Sequence, residues 1–203
     1  RIGAEAGRLK LQAGGKAHEE DLGLVTHKGA LERIAELLRD PAVGGIRSGA
    51  DLAAVGHRVV HGGDRFSSTT QVSEAVKKQI RDLSRLAPLQ NPPNLEGILL
   101  AETLVPGAIQ VAVFDTAFHQ TMPPVSYIYG LPYEIFEEKR MRRFGFHGPS
   151  HQYVAMRAAT YLKERFSRLK IITCHLGNEA SMAAIDKRKS VDARLILILF
   201  HPP

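Results

Sequence analysis

The sequence predicts an α/β fold with a mixed sheet. Short β-branched runs alternate with segments of helical periodicity, polar or titratable residues stand at the ends of the apolar runs, and Pro and Gly mark the joins. Residues 1–24 mix polar and glycine positions around a turn signal at Gly14-Gly15 and read as short strands or loops. From Lys28 to Leu38 the residues Leu31, Ile34, Ala35, Leu37 and Leu38 recur at helical spacing. That amphipathic helix should end at Asp40-Pro41, because the residue before proline avoids helical geometry. Gly44 to Asp51 reads as a loop, and Ala53 to Val60 as a buried strand running into a turn at His61-Gly62-Gly63. Ser73 is the expected N-cap of a second helix reaching Leu86, with Val76, Ile80, Leu83 and Leu86 on one face and Pro88 as its stop. A third helix is expected from Asn94 to Leu104.

Ile109 to Phe114 is β-branched and reads as a buried strand that delivers Asp115 at its carboxyl end. Pro123-Pro124 reads as a boundary or a crossing between lobes. A helix is expected within Gly148 to Arg165, and a strand over Lys170 to Cys174. A turn at His175-Leu176-Gly177-Asn178 follows, then a returning strand from Ser181 to Ile185 and a hairpin turn at Asp186 to Lys189.

Composition sets the bounds. The 203 residues are 44% hydrophobic, which suits one large domain or two small ones and argues against disorder. No Trp is present and only 6% of residues are aromatic, so the core must be aliphatic. The net charge of +6 could serve nucleic acid or an anionic membrane, but the basic residues are dispersed. Their densest cluster, Lys139, Arg140, Arg142 and Arg143, follows Glu134, Glu137 and Glu138 and reads as an exposed helix turn. A site for phosphorylated ligands is therefore the preferred reading, with no nucleic-acid or membrane partner. The single cysteine, Cys174, rules out an internal disulfide framework and points to a reducing compartment. Without a run of about 20 apolar residues, a soluble cytoplasmic protein is expected (organellar if the source is eukaryotic). Arg1 opens abruptly without an initiator Met, so the natural start is expected upstream.

Four short segments carry the chemistry, because ligands of α/β folds bind at the carboxyl ends of strands. In Gly56 to Gly63, Arg58 sits within an apolar strand, where a lone charge cannot remain unpaired. It either meets a buried carboxylate or presents its fork to a carboxylate or phosphate ligand, and the strand alone favours neither. Gly62-Gly63 would allow close backbone approach. In Phe114 to His119, Asp115 suits a Mg²⁺ ligand or general base, with a helix N-cap as the structural alternative. In Arg142 to His151, His147 and His151 are four apart, but Gly148-Pro149 should break the helix that a metal pair needs. Histidines donating to phosphoryl oxygens fit that segment better than chelation, with a solvated loop as the alternative. In Thr173 to Ser181, a strand ending in a small Gly turn suits backbone donors for phosphate, although it lacks the Walker A pattern.

Taken together, GHRVVHGGDRF (56–66), LAPLQNPPNLEGI (86–98), VAVFDTAFHQTMP (111–123), RRFGFHGPSHQYV (142–154) and IITCHLGNEAS (171–181) resemble the acetate kinase family. That family belongs to the superfamily of acetate and sugar kinases, heat-shock chaperone ATPases and actin. The resemblance implies an actin-like (ribonuclease H-like) two-lobed fold, incomplete here at both ends. Its parts would be a partial N-terminal lobe over 1–116, a partial C-terminal lobe over 117–192 and a divergent tail over 193–203. It implies reversible transfer of the γ-phosphoryl of ATP to acetate, forming acetyl phosphate and ADP, with Mg²⁺ as cofactor and a homodimer for the full-length protein. By resemblance, Arg58 would bind the carboxylate or the transferring phosphoryl group, and Val60, Leu89 and Phe146 would line the methyl pocket. Asp115 would be the essential carboxylate, orienting substrate and Mg²⁺ (an indirect role toward the metal), and His147 would donate to the phosphoryl group. His175, Gly177 and Asn178 would face the ATP phosphates.

Departures accompany the resemblance. The family's first strand with its phosphate loop would precede Arg1, and Ala193 to Pro203 has no place in the family pattern. Gln90 stands where the family has His, Pro149 replaces a small hydroxyl residue, and Glu179 replaces a phosphate-loop Gly. Glu179 should repel the nucleotide by its charge and obstruct backbone approach. An inactive remnant or binding module, or a propionate or butyrate kinase relative, are the competing readings.

Overall fold

A computed structural model describes residues 7–13, 15–23, 26–44, 46, 52–177 and 179–196. Strands β1 (Gly7–Ala13) and β2 (Lys16–Gly23) form an antiparallel hairpin that turns through Gly15 at φ +79°. Helix α1 (His27–Arg39) follows, capped by the Thr26 hydroxyl, which accepts from the Gly29 N–H at 3.1 Å. It ends at Asp40, as Asp40-Pro41 requires. Leu9 of β1 and Leu37 of α1 are both buried and line one small cavity. The loop expected over Gly44 to Asp51 falls mostly outside the described residues.

The second sheet has the order β3-β5-β4. Strand β3 (Ala54–Val59) runs parallel to β5 (Ile109–Phe114), and the short β4 (Thr70–Gln71) pairs antiparallel on the other edge of β5. Helix α2 (Glu74–Asp82) carries the expected Ser73 cap, but stops four residues early and tightens into a 3-10 turn, Leu83–Arg85. Helix α3 (Asn91–Leu104) starts three residues before the expected Asn94. Pro92 and Pro93 sit in its first turn, where a missing N–H costs nothing, so they open the helix instead of preceding it. Val59, Ile80, Leu83, Leu95, Ile98, Ala112 and Phe114 pack into one core, with Phe66 stacked on Phe114 at 4.0 Å between ring centroids.

A 3-10 turn, Ala117–Thr121, leads to two short helices, α4 (Pro124–Tyr127) and α5 (Tyr133–Lys139). Helix α6 (Gly148–Tyr161) then packs on the third sheet, an antiparallel meander of β6 (Lys170–Leu176), β7 (Ala180–Asp186) and β8 (Lys189–Ile196). A second, smaller core forms there from Ala155, Ala183 and Ile185, flanked by Phe118, Phe166 and Ile171.

Four expectations need correction. His175 and Leu176 belong to β6 and not to the turn, because both pair with β7, opposite Ser181 and Ala180. Gly148-Pro149 does not break a helix but begins α6, again with proline in the first turn. The basic cluster is not one exposed turn. Arg142 lies over the Tyr127 ring at 3.7 Å, and Arg143 pairs with Asp192 at 2.9 Å, so aromatic stacking and ion pairing draw both inward. Residues 193–196, set aside as tail, continue β8 in register with β7, where Ala193 is buried opposite Ala183.

Candidate active site

The parallel register of β3 and β5 sets Arg58 opposite Val113 and Val59 opposite Phe114, so both strands end at the same level. There the Asp115 N–H donates to the Val59 carbonyl at 3.0 Å, continuing the ladder one step past β5. Arg58 therefore reaches Asp115. Its Nε donates to Oδ1 at 2.9 Å and its Nη2 to Oδ2 at 2.7 Å, a bidentate pair. The two partners differ in burial: the Asp115 side chain is 1% exposed and the Arg58 side chain 61%. Of the two alternatives open at Arg58, the structure shows the buried carboxylate: Asp115 anchors one edge of the guanidinium, and the Arg58 side chain is otherwise largely exposed. Asp115 raises the Arg58 pKa further by accepting its hydrogen bonds. The helix-cap alternative for Asp115 does not hold, since Thr116 occupies the position before the 3-10 turn.

The loop after β3 is held by side chains. The Asn91 Oδ1 accepts from His61 N–H at 3.0 Å, and its Nδ2 donates back to the His61 carbonyl at 2.9 Å. The Asn94 Oδ1 accepts from Val60 N–H at 3.1 Å, so α3 fixes the strand end beside Asp115. Gly62 does provide close approach, but to protein and not to ligand: a Cβ there would lie 2.9 Å from the Phe114 side chain.

From the other side comes α6. His147 caps it in the left-handed region (φ 56°), an unusual backbone state for a non-glycine residue. Two bonds to Asp115 hold it there: His147 N–H donates to Oδ2 at 3.3 Å, and Gly148 N–H to the Asp115 carbonyl at 3.0 Å. A Cβ at Gly148 would lie 2.3 Å from that carbonyl oxygen, so only glycine fits. His119, fully buried, steadies the preceding segment through Nε2 to the Phe146 carbonyl at 2.9 Å, and its Nδ1 meets Ser190 Oγ at 2.8 Å. As a carbonyl can only accept, His119 carries its proton on Nε2. Burial lowers its pKa.

The His147 ring stacks on His175 of β6 at 4.0 Å and 15°. Its Nδ1 meets Ser181 Oγ at 2.8 Å, and its Nε2 lies 3.5 Å from Glu179 Oε2. Ser181 Oγ in turn meets His151 Nε2 at 2.9 Å, and His151 Nδ1 meets Thr173 Oγ1 at 2.7 Å. His175 Nδ1 meets Ser150 Oγ at 2.9 Å. Burial lowers the His147 pKa, with the His175 charge adding to it, and takes His151 down to about 4.

These groups border one cleft of about 320 Å³, lined by Arg58, Val60, Gln90, Asp115, Phe146, His147, His175 and Glu179. Of the residues singled out from sequence, Arg58, Val60, Asp115, Phe146, His147 and His175 therefore come together. Leu89 does not: it is 81% exposed and outside the lining, and its neighbour Gln90 takes that place. Gly177 lies in the β6–β7 turn, donating its N–H to the Glu179 carbonyl at 3.1 Å, and Asn178 lies outside the described residues. The sequence reading gives Thr173 and Ser181 no role. Their signal is a hydroxyl at an inward position of an otherwise apolar strand, where each is buried. Chemically, the cleft offers one guanidinium edge and imidazole N–H donors to an anion, against the carboxylates of Asp115 and Glu179.

Comparison with known proteins gives the family and the fold. The model of the Acetokinase family matches residues 1–198, and so extends past Asp192 into the segment set aside as tail. The acetate kinase of Alkaliphilus metalliredigens is 50% identical over 196 residues, covering 96% of this chain and 50% of that protein. A crystal structure of Porphyromonas gingivalis acetate kinase superposes with a TM-score of 0.85 at 42% identity, over 97% of this chain and 49% of that one. A propionate kinase from Francisella tularensis superposes with the same TM-score at 35% identity, again over 97% and 49%. The chain thus spans about half the length of the relatives it matches.

Proposed function

The chain belongs to the acetokinase family, and from that premise we propose that it supplies the acyl-acceptor side of a phosphotransferase site, where the γ-phosphoryl of ATP moves reversibly to acetate, giving acetyl phosphate and ADP. One observation carries the reading. The bidentate Arg58–Asp115 pair stands at the ends of two parallel strands, in the same cleft as His147. Asp115 takes up two N–H groups of Arg58, and the remaining N–H groups are available to a carboxylate or a phosphoryl oxygen. Val60 and Phe146 give the acyl group an apolar wall, while His147 and His175 bring donors to the phosphoryl side. In-line transfer needs mainly positioning and charge neutralisation, and those are the resources of this cleft.

The donor set fits Mg²⁺ only indirectly. Both Asp115 oxygens already accept from Arg58 and the His147 backbone, and among the described residues no group of three His, Cys, Asp or Glu is placed to hold a metal. Asp115 would therefore hold Mg²⁺ through water, and the ion would neutralise phosphate oxygens. We place the lobe boundary between residues 116 and 117, because the two cores fall on either side of it but for Ala117 and share no residue. The role of Asn178 toward ATP, the homodimer and a cytoplasmic location belong to the same reading. No helix among the described residues is long and apolar enough to cross a membrane.

Two alternatives have an observation behind them. The equal TM-score of the Francisella propionate kinase keeps a longer acyl acceptor in play. Glu179 in the cleft keeps an inactive binding module in play. Acetyl-phosphate formation with acetate, propionate and butyrate decides among them. Asp115→Asn should lower turnover by about 100-fold or more while keeping the fold, since Arg58 is exposed enough to be resolvated. Full turnover in that variant would remove Asp115 from the chemistry, and no product with any acid would leave the binding-module reading.

A further inference from the structure

We propose that Ser181 and His151 are positioning residues that hold the His147 imidazole in a single tautomer, with its Nε2–H aimed into the cleft. Naming that N–H as a donor to a phosphoryl oxygen rests on the proposed function; the tautomer itself is a property of the chain without ligand.

Proton positions along Thr173, His151, Ser181 and His147 decide the tautomer. Contacts of 2.7, 2.9 and 2.8 Å join the four side chains in that order, and each is 6% exposed or less. The Ser181 hydroxyl has one proton, so it can donate to only one imidazole; accepting from both would leave its buried O–H with no acceptor among the described residues, so it accepts from the other. Only two directions are therefore consistent. In the first, Thr173 Oγ1 donates to His151 Nδ1, His151 Nε2 donates to Ser181, and Ser181 donates to His147 Nδ1, leaving the His147 proton on Nε2. The second reverses every bond and leaves a lone pair on Nε2.

What faces Nε2 selects between them. Glu179 Oε2, an acceptor only, lies 3.5 Å away, and the cleft also holds Asp115. The second direction would aim a lone pair at the Glu179 carboxylate; the first aims an N–H. Ring rotation offers no escape: turning out of plane would break the stack on His175, which Ser150 anchors, and a 180° flip would set a carbon in place of Nδ1 against Ser181 Oγ. Burial keeps both His147 and His151 toward the neutral form, which leaves each imidazole the single proton that the first direction assigns to it.

The test is a long-range ¹H–¹⁵N spectrum of the imidazoles in the uniformly labelled chain near neutral pH, without nucleotide. The expected pattern is a pyrrole-type Nε2 and a pyridine-type Nδ1 for His147. In Ser181→Ala the two shifts should converge as tautomers mix, and Ser181→Thr should restore the native pattern. The alanine change removes one oxygen, and the His119 signals, tied to Ser190 and Phe146, report that the fold is kept. A wild-type His147 protonated on Nδ1, or an unchanged His147 pattern in Ser181→Ala, would overturn the proposal. The sample contains no ATP, so a failure of phosphoryl transfer and a failure of this tautomer assignment would be seen in different measurements.

Discussion

Replacing Glu179 by Gln should tighten the binding of inorganic phosphate. Three formally charged side chains line the cleft, and the bidentate Arg58–Asp115 pair is neutral as a unit, so Glu179 leaves a net negative charge. A phosphate oxygen accepting from His147 Nε2 would share that nitrogen with the Glu179 carboxylate, which is 3.5 Å from it. The two anions would then be roughly 5 Å apart, and Coulomb's law with an effective dielectric of about 20 gives about 3 kcal/mol per pair of unit charges. Glu179 is 49% exposed, so solvent screens it and the side chain can swing aside. About 1–2 kcal/mol survives that discount, or about 5- to 30-fold in affinity. Isothermal titration with phosphate at low and high salt measures it, and the gain should shrink as salt rises. An affinity no better than wild type at low salt would refute the electrostatic reasoning. Glu179→Gly separates charge from volume: it should match Gln if charge is the whole effect and exceed it if the side chain also occupies the phosphate's space.

Acid should destabilise the fold. Burial lowers His61 and His151 to about 4, against about 6.5 in an unfolded chain, so between those values the unfolded state takes up protons that the native state refuses. Stability from these two groups is complete above about pH 6.5 and falls as pH drops toward 4, which urea midpoints across that window would record. A flat midpoint there would show the two rings to be solvated. Ile98→Ala should cost about 2–5 kcal/mol in urea unfolding, since Ile98 is fully buried between the helices and the sheet; a loss below about 1 kcal/mol would mean that the core collapses around the gap.

Much of the fold is legible in the sequence because local chemistry dictates it. Ser73 and Asp40-Pro41 set helix ends where expected, and the Ile109–Phe114 run forms a strand that ends at Asp115. The structure departs from expectation where a residue's position in its element, or a tertiary partner, overrides its local preference. Gly148-Pro149 reads as a break and the third helix as starting only at Asn94, yet Pro149, Pro92 and Pro93 all lie in the first turn of a helix. His175 and Leu176 read as a turn until β7 pairs with them, and Arg142 reads as exposed until Tyr127 lies beneath it. In the site, strand ends point to Arg58 and Asp115, because topology alone brings those ends level. Leu89 against Gln90 could not be chosen that way, since one position on an irregular turn decides which side chain faces the cleft.

The same distinction separates what the site does from what holds it. Arg58, Asp115 and His147 could each be proposed one at a time from residue type. Their relation depends on contacts between segments far apart in sequence: the Asp115 carboxylate accepts from the Arg58 guanidinium and from the His147 backbone N–H, and the Asp115 carbonyl accepts from the Gly148 N–H. A single buried carboxylate residue therefore ties the end of β3 to the start of α6 across the two cores. Moving Asp115 would displace the guanidinium and the imidazole together, so its effects on chemistry and on geometry are coupled. Asp115→Asn keeps the shape and removes the charge, whereas Asp115→Ala removes both. If the two variants lose activity equally, charge is what the site needs from this residue. A much larger loss in the alanine variant would mean that its chief contribution is to hold β3 and α6 in register.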